Sequence, residues 1–499
     1  MSLVQPARPV SNNNPDVGWL TLAEWSYKVN NQQWVPRDFD MVIIDLLEAA
    51  MRGEVSKILL SVPSRHGKST LISKNLASYF LSYFPNEKVI LSAYSQRLAS
   101  EFGGQVKDII NYYGSIYSPY NVRLSTDSRA KNKFNIEGYG GQMLAVGAAG
   151  SIMGFGANLF IIDDPIKNVA DAESEVKQNN LREWFQGVVK SRVERRPNGL
   201  PPIMCVIAQR LHVHDLHGII KENEPVIDAE TAFTILRSGG TIPQDTWVDL
   251  NIPAVWNEDH PDILGRKKGD VLWEAQRDYE WLMAEKKAMG SYLFNAIYQG
   301  MPVEREGNIF KRSWFMDETT NKIYNLINLE DVPYDAPRLR YWDFGASGKK
   351  GDATAGVLTA WTGEDLIIID LVTGKFSATQ TLRRFQKTAR KDGKNVLIRI
   401  EQEPGSASKL LINKFRRSDE FRGYNIRGDK VKYKKNVRSF DLEALAEDGS
   451  VWFVKAPWNI TVIDHLVSFT GEEGKPDDIA DSLTGSARHW RRPKRKVNI

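Results

Sequence analysis

One cysteine, Cys205, in 499 residues excludes an internal disulfide and a cysteine zinc cluster. No apolar run approaches the roughly 18 residues needed to cross a bilayer, so no membrane association is expected. The first residues, MSLVQPARPVSNNNPD, lack the charged-then-apolar order of a secretory signal, which makes a reducing, intracellular setting the expectation. Charge of one sign is also scarce. The net charge is +4, and Arg488, Arg491, Arg492, Lys494, Arg495 and Lys496 alone carry six positive charges. There is no internal repeat, and the only compositionally biased segment is that basic end.

The 42% hydrophobic and 26% charged residues suffice for two or three domains of about 150 residues each. Residues 1–18, rich in Asn and Pro, read as a flexible arm. Over 19–238 short apolar runs alternate with amphipathic ones. Asp40 to Met51 reads as a helix, with Met41, Ile44, Leu47 and Met51 on one face. Lys57 to Val62, Val89 to Ala93, Leu159 to Ile162 and Ile203 to Ala208 read as strands, and Leu71 to Phe84, Gln96 to Tyr112 and Glu173 to Arg192 as helices. This alternation implies a mostly parallel sheet flanked by helices. Residues 239–335, dense in Pro, Gly and Trp, read as a connecting region with one helix at 278–289. A second α/β pattern fills 336–487, and 488–499 is a basic tail. Between Lys409 and Arg438 eleven Lys and Arg face only three acids, enough to attract a polyanion.

Ser61-Val-Pro-Ser-Arg-His-Gly-Lys-Ser-Thr70 follows a predicted strand and opens a predicted helix. A nucleotide triphosphate needs converging backbone N–H groups, a small residue for close approach, a lysine for the β/γ oxygens and a hydroxyl on Mg²⁺. Gly67, Lys68 and Ser69 supply the last three. Val62 stands where the usual first glycine would be, Pro63 shapes the turn, and Arg65 adds a second cation. Leu159-Phe-Ile-Ile-Asp-Asp164 would bring two carboxylates to the carboxyl edge of the sheet, Asp163 for the Mg²⁺ shell and Asp164 for the attacking water. The competing reading is a pair of capping aspartates before Pro165. Gln209, Arg210, His212 and Asp215, after a third strand, could sense the γ-phosphate or form an ordinary turn.

A second acidic set lies downstream. Asp343 falls on one predicted strand and Glu401 ends another, while Asp477, Asp478 and Asp481 open a helix on which residues three and four apart share a face. Hard oxygen ligands without His or Cys favour Mg²⁺ or Mn²⁺, and two such ions could stabilise both oxygens of a phosphodiester exchange. Asp352 is an auxiliary ligand or a turn residue.

The ordered set PSRHGKST, AYSQRLASEF, GAAGSIMGFGANLFIIDDP, AQRLHVHDL, YQGMPVEREGNIFKRSWF, YWDFG, IEQEPGS and DDIADSL resembles the large terminase subunit of tailed bacteriophages, over roughly Trp34 to Trp490. The resemblance implies an α/β chain: an N-terminal P-loop ATPase domain with a mostly parallel sheet, and a C-terminal ribonuclease H-like nuclease domain. It implies an ATP-driven motor that packages double-stranded DNA into a procapsid and cuts concatemers. By the same resemblance Pro63, Ser64, Arg65, His66, Gly67, Lys68, Ser69 and Thr70 form the phosphate loop, with Arg65 as its functional arginine. Asp163 is the magnesium aspartate, Asp164 the water-activating residue, and Gln209, Arg210 and His212 the coupling motif. Asp343, Glu401, Asp478 and Asp481 match the nuclease acids. ATP and Mg²⁺ are the implied cofactors, with Mn²⁺ an alternative at the nuclease. The implied partners are DNA, the portal protein, a small terminase subunit and further copies in a ring. The implied location is the host cytoplasm, transiently on the portal and not in the mature virion.

The chain departs from that pattern in three places. Asp164 replaces the commoner Glu, and Lys475 and Pro476 stand where His often precedes the late aspartates, leaving the choice among Asp477, Asp478 and Asp481 open. No glutamine adenine motif precedes the loop, so Trp34, Arg37 and Phe39 are the candidates for a base shelf. Arg123, Arg129, Arg192 and Arg195 are candidates for an arginine supplied to a neighbouring subunit. A helicase-nuclease and a non-catalytic DNA scaffold are the competing functional readings.

Overall fold

Lys57–Ser61 (β1) buries four of its five side chains without polar alternation, which commits it to the middle of a sheet covered on both faces. In the computed structural model it pairs in parallel with Ile203–Ala208 (β6) on one side and Trp247–Asn251 (β8) on the other. The structure describes residues 18–126, 128, 130–150, 152–304, 308–345, 353–402, 412–413, 415, 417–431, 433–471 and 477–491. They fall into two compact units, Met1–Met283 with Leu293–Glu304, and Ala284–Tyr292 with Arg305–Ile499.

The first unit is built on an eight-stranded sheet in the order β3-β4-β2-β5-β6-β1-β8-β7. The remaining strands are Lys88–Ala93 (β2), Lys133–Asn135 (β3), Gln142–Gly147 (β4), Leu159–Asp163 (β5) and Val226–Asp228 (β7). Every pairing is parallel except β3 with β4. The two-residue period of the strands divides the core. Ile58, Leu60, Leu91, Ile161 and Ile207 pack on one face with the helices Asp38–Met51 and Ala77–Tyr83, while Leu59, Ile90, Phe160, Ile162 and Val206 pack on the other with Phe185 and Trp247.

Two sequence-level expectations are corrected here. Residues 239–335 are more than a connection, because β8 lies inside them and pairs along the whole of β1. Its five residues are hidden among Pro, Gly and charge, and only pairing with β1 discloses them. Glu173 to Arg192 is not one helix: Val169–Ala172 and Glu175–Glu183 are α-helical, Trp184–Val189 is a π turn and Lys190–Arg192 a 3-10 turn.

The second unit carries a seven-stranded sheet in the order β14-β13-β10-β11-β12-β15-β9. Its strands are Leu326–Ile327 (β9), Arg338–Asp343 (β10), Thr354–Trp361 (β11), Leu366–Gly374 (β12), Leu397–Gln402 (β13), Asn425–Lys430 (β14) and Val451–Val454 (β15). β10, β11 and β12 form an antiparallel meander. After the helix Ala378–Asp392, opened by a capping box between Ser377 and Gln380, the chain returns to add β13 parallel to β10 and then β14 parallel to β13. The last helix, Asp478–Arg491, lies across β10 and β11. Ser482 donates to the Ala355 carbonyl at 3.2 Å, and Gly485 comes so close to Tyr341 that an added Cβ would stand 2.2 Å from its ring. Among the described residues no helix is long and apolar enough to cross a membrane.

Candidate active sites

The loop after β1 turns twice through left-handed backbone, at Arg65 (φ 62°) and Gly67 (φ 87°). An added Cβ at Gly67 would in addition lie 2.9 Å from Arg37 Nη2, so that guanidinium would have to move aside. Arg37 braces the loop from outside. It donates to the His66 carbonyl at 3.2 Å and to Asp40 at 2.5 and 2.9 Å, and its guanidinium stands over the rings of Phe39 and Trp273 at 4.3 and 4.0 Å. His66 is buried against the same two rings, and burial lowers its pKa to about 4, so the ring is neutral. Arg37 thus contacts loop backbone, whereas Phe39 is buried in the core and presents no open face. Pro63 is buried in the loop, the Ser64 carbonyl lies 3.0 Å from His66 Nδ1, and Arg65 is exposed.

Ser69 and Thr70 lead into a π turn, Thr70–Leu76, before the α-helix Ala77–Tyr83 begins. Within that turn Ser73 donates to Asp163 Oδ2 at 2.6 Å. Asp163 closes β5, 1% exposed, and its Oδ1 has no hydrogen-bond partner among the described residues. Burial, then the neighbouring Asp164, raise its pKa to about 6 against the help of Lys68, Ser73 and Ser69. Asp164 adopts φ 43°, a conformation aspartate tolerates, and the turn swings its carboxylate toward the loop: Oδ1 accepts from Lys68 Nζ at 2.7 Å and from the Gln209 N–H at 2.9 Å. Lys68, Asp163, Asp164 and Gln209 are thereby brought together at the carboxyl edge of β1, β5 and β6, with β6 between the other two. An unsatisfied buried carboxylate oxygen beside two serine hydroxyls is a donor set that fits Mg²⁺.

Arg210 is turned away from this cluster, held by both oxygens of Asp215 at 2.9 Å. His212 lies 3.2 Å from Gln178 and 3.9 Å from Glu173. A residue not singled out from the sequence, His217, lies 3.1 Å from Ser61 Oγ at the end of β1. Burial holds it neutral, with a pKa lowered to about 3. It follows Asp215 by two positions, the only sequence cue. Arg129 lies outside the described residues, and Arg195 donates to the Gly199 carbonyl at 3.1 Å.

In the second unit Asp343 ends β10, Glu401 lies near the end of the adjacent β13, and Asp478 and Asp481 occupy the first turn of the last helix. Burial pushes Asp343 far above the usual carboxylate range, and Glu401, Asp481 and Asp478 push it further. These acids face two cations from the basic stretch Lys409 to Arg438, which from the sequence is expected to attract a polyanion. Arg438 binds Glu401 at 2.6 Å and Asp481 at 3.2 Å; Lys435 binds Asp481 at 2.9 Å and also Asp477. Among the described residues no three acidic, His or Cys side chains converge at metal-holding spacing. Glu401 Oε2 is nonetheless buried without a hydrogen-bond partner among them, an open oxygen donor of the kind Mg²⁺ takes.

Beneath these acids lies a second buried layer. Asp429, opposite Glu401 in the β13–β14 register, accepts from Tyr341 Oη at 3.0 Å and from Arg488 at 2.6 Å. Arg488 therefore belongs to the folded unit and not to a tail beginning at 488. It lies seven residues after Asp481, two helical turns along the same face, which a count of basic residues does not register. Asp352, Lys475, Pro476 and residues 492–499 lie outside the described residues.

The chain is thus α/β throughout: a mostly parallel sheet in which the inner strand β1 feeds a Gly-Lys-Ser loop, and a second sheet in which an antiparallel meander is extended by β13 and β14 on one side and β15 and β9 on the other, all in parallel. Residues 340–486 match the family model of the terminase RNaseH-like domain. The chain is similar to the large terminase of a thermophilic bacteriophage, at 11% identity over 87% of this chain and 93% of that one, with a TM-score of 0.48. It is similar to the HK97 bacteriophage large terminase at 14% identity over 94% and 99%, TM-score 0.37. It is also similar to the magnesium-bound large terminase nuclease of thermophilic phage G20c, at 15% identity over 37% and 98%, TM-score 0.27. No curated protein matches it.

Proposed function

We propose that the chain is the large subunit of a phage terminase, a DNA-packaging ATPase that also cuts DNA with divalent metal ions. The observation that carries the reading is the coexistence of two carboxylate sets at strand ends in separate sheets: Asp163 and Asp164 beside Lys68, and Asp343 and Glu401 beside Asp478 and Asp481. The terminase domain match over 340–486 supports the second set independently.

In the first site the loop N–H groups and Lys68 bind the polyphosphate, and Ser69 with Asp163 would hold Mg²⁺. Asp164 orients the attacking water and takes its proton. Gln209, whose N–H already fixes Asp164, reports the state of the site to β6. In the second site Asp343, Glu401, Asp478 and Asp481 would hold the ions, whose chemistry is to activate water and stabilise the leaving oxygen. The chain's own part there is to bury these acids and keep their charge compensated. The partners of this reading are double-stranded DNA, a portal ring, a small subunit and further copies of the chain, and the setting is the host cytoplasm.

The test is ATP hydrolysis and supercoiled-plasmid cleavage, with Mg²⁺ or Mn²⁺, on the same samples of intact protein, Lys68→Ala and Asp343→Ala. Loss of ATPase alone in the first variant and of cutting alone in the second is expected. Cutting that survives Asp343→Ala refutes the nuclease assignment, and turnover that survives Lys68→Ala refutes the motor.

A further inference from the structure

The nuclease acids are met by two cations from one short helix, Lys435–Arg438. Arg438, with a side chain 3% exposed, donates from Nη1 to Glu401 Oε1 and from Nη2 to Asp481 Oδ1. A single guanidinium therefore bridges a carboxylate from β13 and one from the last helix, the two distant segments that must be drawn together for a shared cation. Lys435 takes the other oxygen of Asp481. The bridge is incomplete on both sides, since Glu401 Oε2 and Arg438 Nε are buried without hydrogen-bond partners among the described residues. A carboxylate oxygen left buried and unpaired is costly until a further donor or cation takes it. Here one oxygen of Glu401 is held by the resident cation and the other is left over.

We propose that Arg438 is a resident cation of the nuclease centre: it occupies Glu401 and Asp481 while no divalent ion is bound, and a divalent ion must displace it to engage those carboxylates. The inference rests on the nuclease reading above and concerns the regulation of that site. Its consequence is a weakened apparent metal affinity, because the ion competes with a like charge already in place and with two strong hydrogen bonds. Lys435, a quarter exposed, does the same more weakly from the solvent side.

The experiment measures Mn²⁺ binding to the full chain, without nucleotide or DNA, by the electron paramagnetic resonance signal of free Mn²⁺. The part attributable to the nuclease acids is the difference from Asp343→Asn. Arg438→Gln should raise that affinity by at least about tenfold, equivalent to 1.4 kcal/mol, and Lys435→Gln by about threefold. Thermal unfolding gives a second readout: metal-free Arg438→Gln should melt below the wild type, and saturating Mn²⁺ should raise its midpoint more than it raises the wild type's. Should Arg438→Gln fail to fold without metal, Lys435→Gln still decides the matter. Unchanged or weaker Mn²⁺ binding in the folded variants overturns the inference and makes the two cations positioning residues. If the wild type shows no Asp343-dependent Mn²⁺ binding at all, the nuclease reading itself falls, and the inference with it.

Discussion

Replacing Arg37 by Ala tests how the phosphate loop is held, and its cost can be worked from contacts. The guanidinium is bidentate on Asp40, whose side chain is only 2% exposed, bonds the His66 carbonyl, and lies over two rings. Removing one partner of a buried pair costs about 3–5 kcal/mol. Asp40 keeps one bond from the Arg37 backbone N–H and Arg37 is one-fifth exposed, so the lower end applies, about 3 kcal/mol. Each ring contact adds about 0.5–1 kcal/mol. The expected total is about 4 kcal/mol. Arg37→Ala with Asp40→Asn removes the stranded charge and should recover about half of it. Urea unfolding followed by tryptophan fluorescence gives these values. Hydrogen exchange of the amides at 62 and 64–69 gives the local effect, which should be faster exchange in both variants, since both lose the bond to His66. A single-variant cost under about 1 kcal/mol, or a double variant no more stable than the single, refutes the reasoning.

Three further outcomes follow from the same structure. The pKa of Asp163, raised by burial to about 6, stands above its unfolded value. Its ionised form therefore costs stability above about pH 6, a cost that vanishes below the unfolded pKa of 3.8, while Mg²⁺–nucleotide binding, which needs the carboxylate, should strengthen from pH 5 and level off above about 6; a flat affinity profile from pH 5 to 8 contradicts this. Arg196→Met strands Glu87, which is 3% exposed and already raised in pKa by burial, and should cost about 3–5 kcal/mol in urea unfolding, partly restored by adding Glu87→Gln. Gly485→Ala forces a methyl against the Tyr341 ring and should destabilise the second unit by about 1–3 kcal/mol or more, seen as a lower melting temperature; an unchanged melting temperature would show that the helix can shift freely.

Most of what is legible in the sequence comes from buried, uninterrupted strands. Ile203–Ala208 is read to the residue, and β1, β2 and β5 to within one, because strands covered on both faces carry a continuous apolar signal. Asp163 and Asp164 are legible for the same reason: two acids that stop such a run have to lie at its edge. What escapes depends on partners distant in sequence. β8 is broken by Asp249 and Asn251, β14 carries charge at Arg427, Asp429 and Lys430, and β9 is two residues long. Arg438, Lys435 and Arg488 look like surface charge in a linear count. Only the return of β13 beside β10, and of the last helix across β10 and β11, sets them against carboxylates up to 59 residues away.

The rims of the two sheets differ from their centres in a way that bears on crowding. β3 and β7 close the first sheet with three residues each, and β9 closes one side of the second with two. The longer rim, β14, carries exposed charge at Arg427 and Lys430. An exposed ladder must run several residues before another chain can pair with it, and charge along it discourages the pairing. Copies of the chain brought side by side would therefore meet through side chains. Among the described residues these rims offer little backbone by which such copies could fuse their sheets into a continuous fibre.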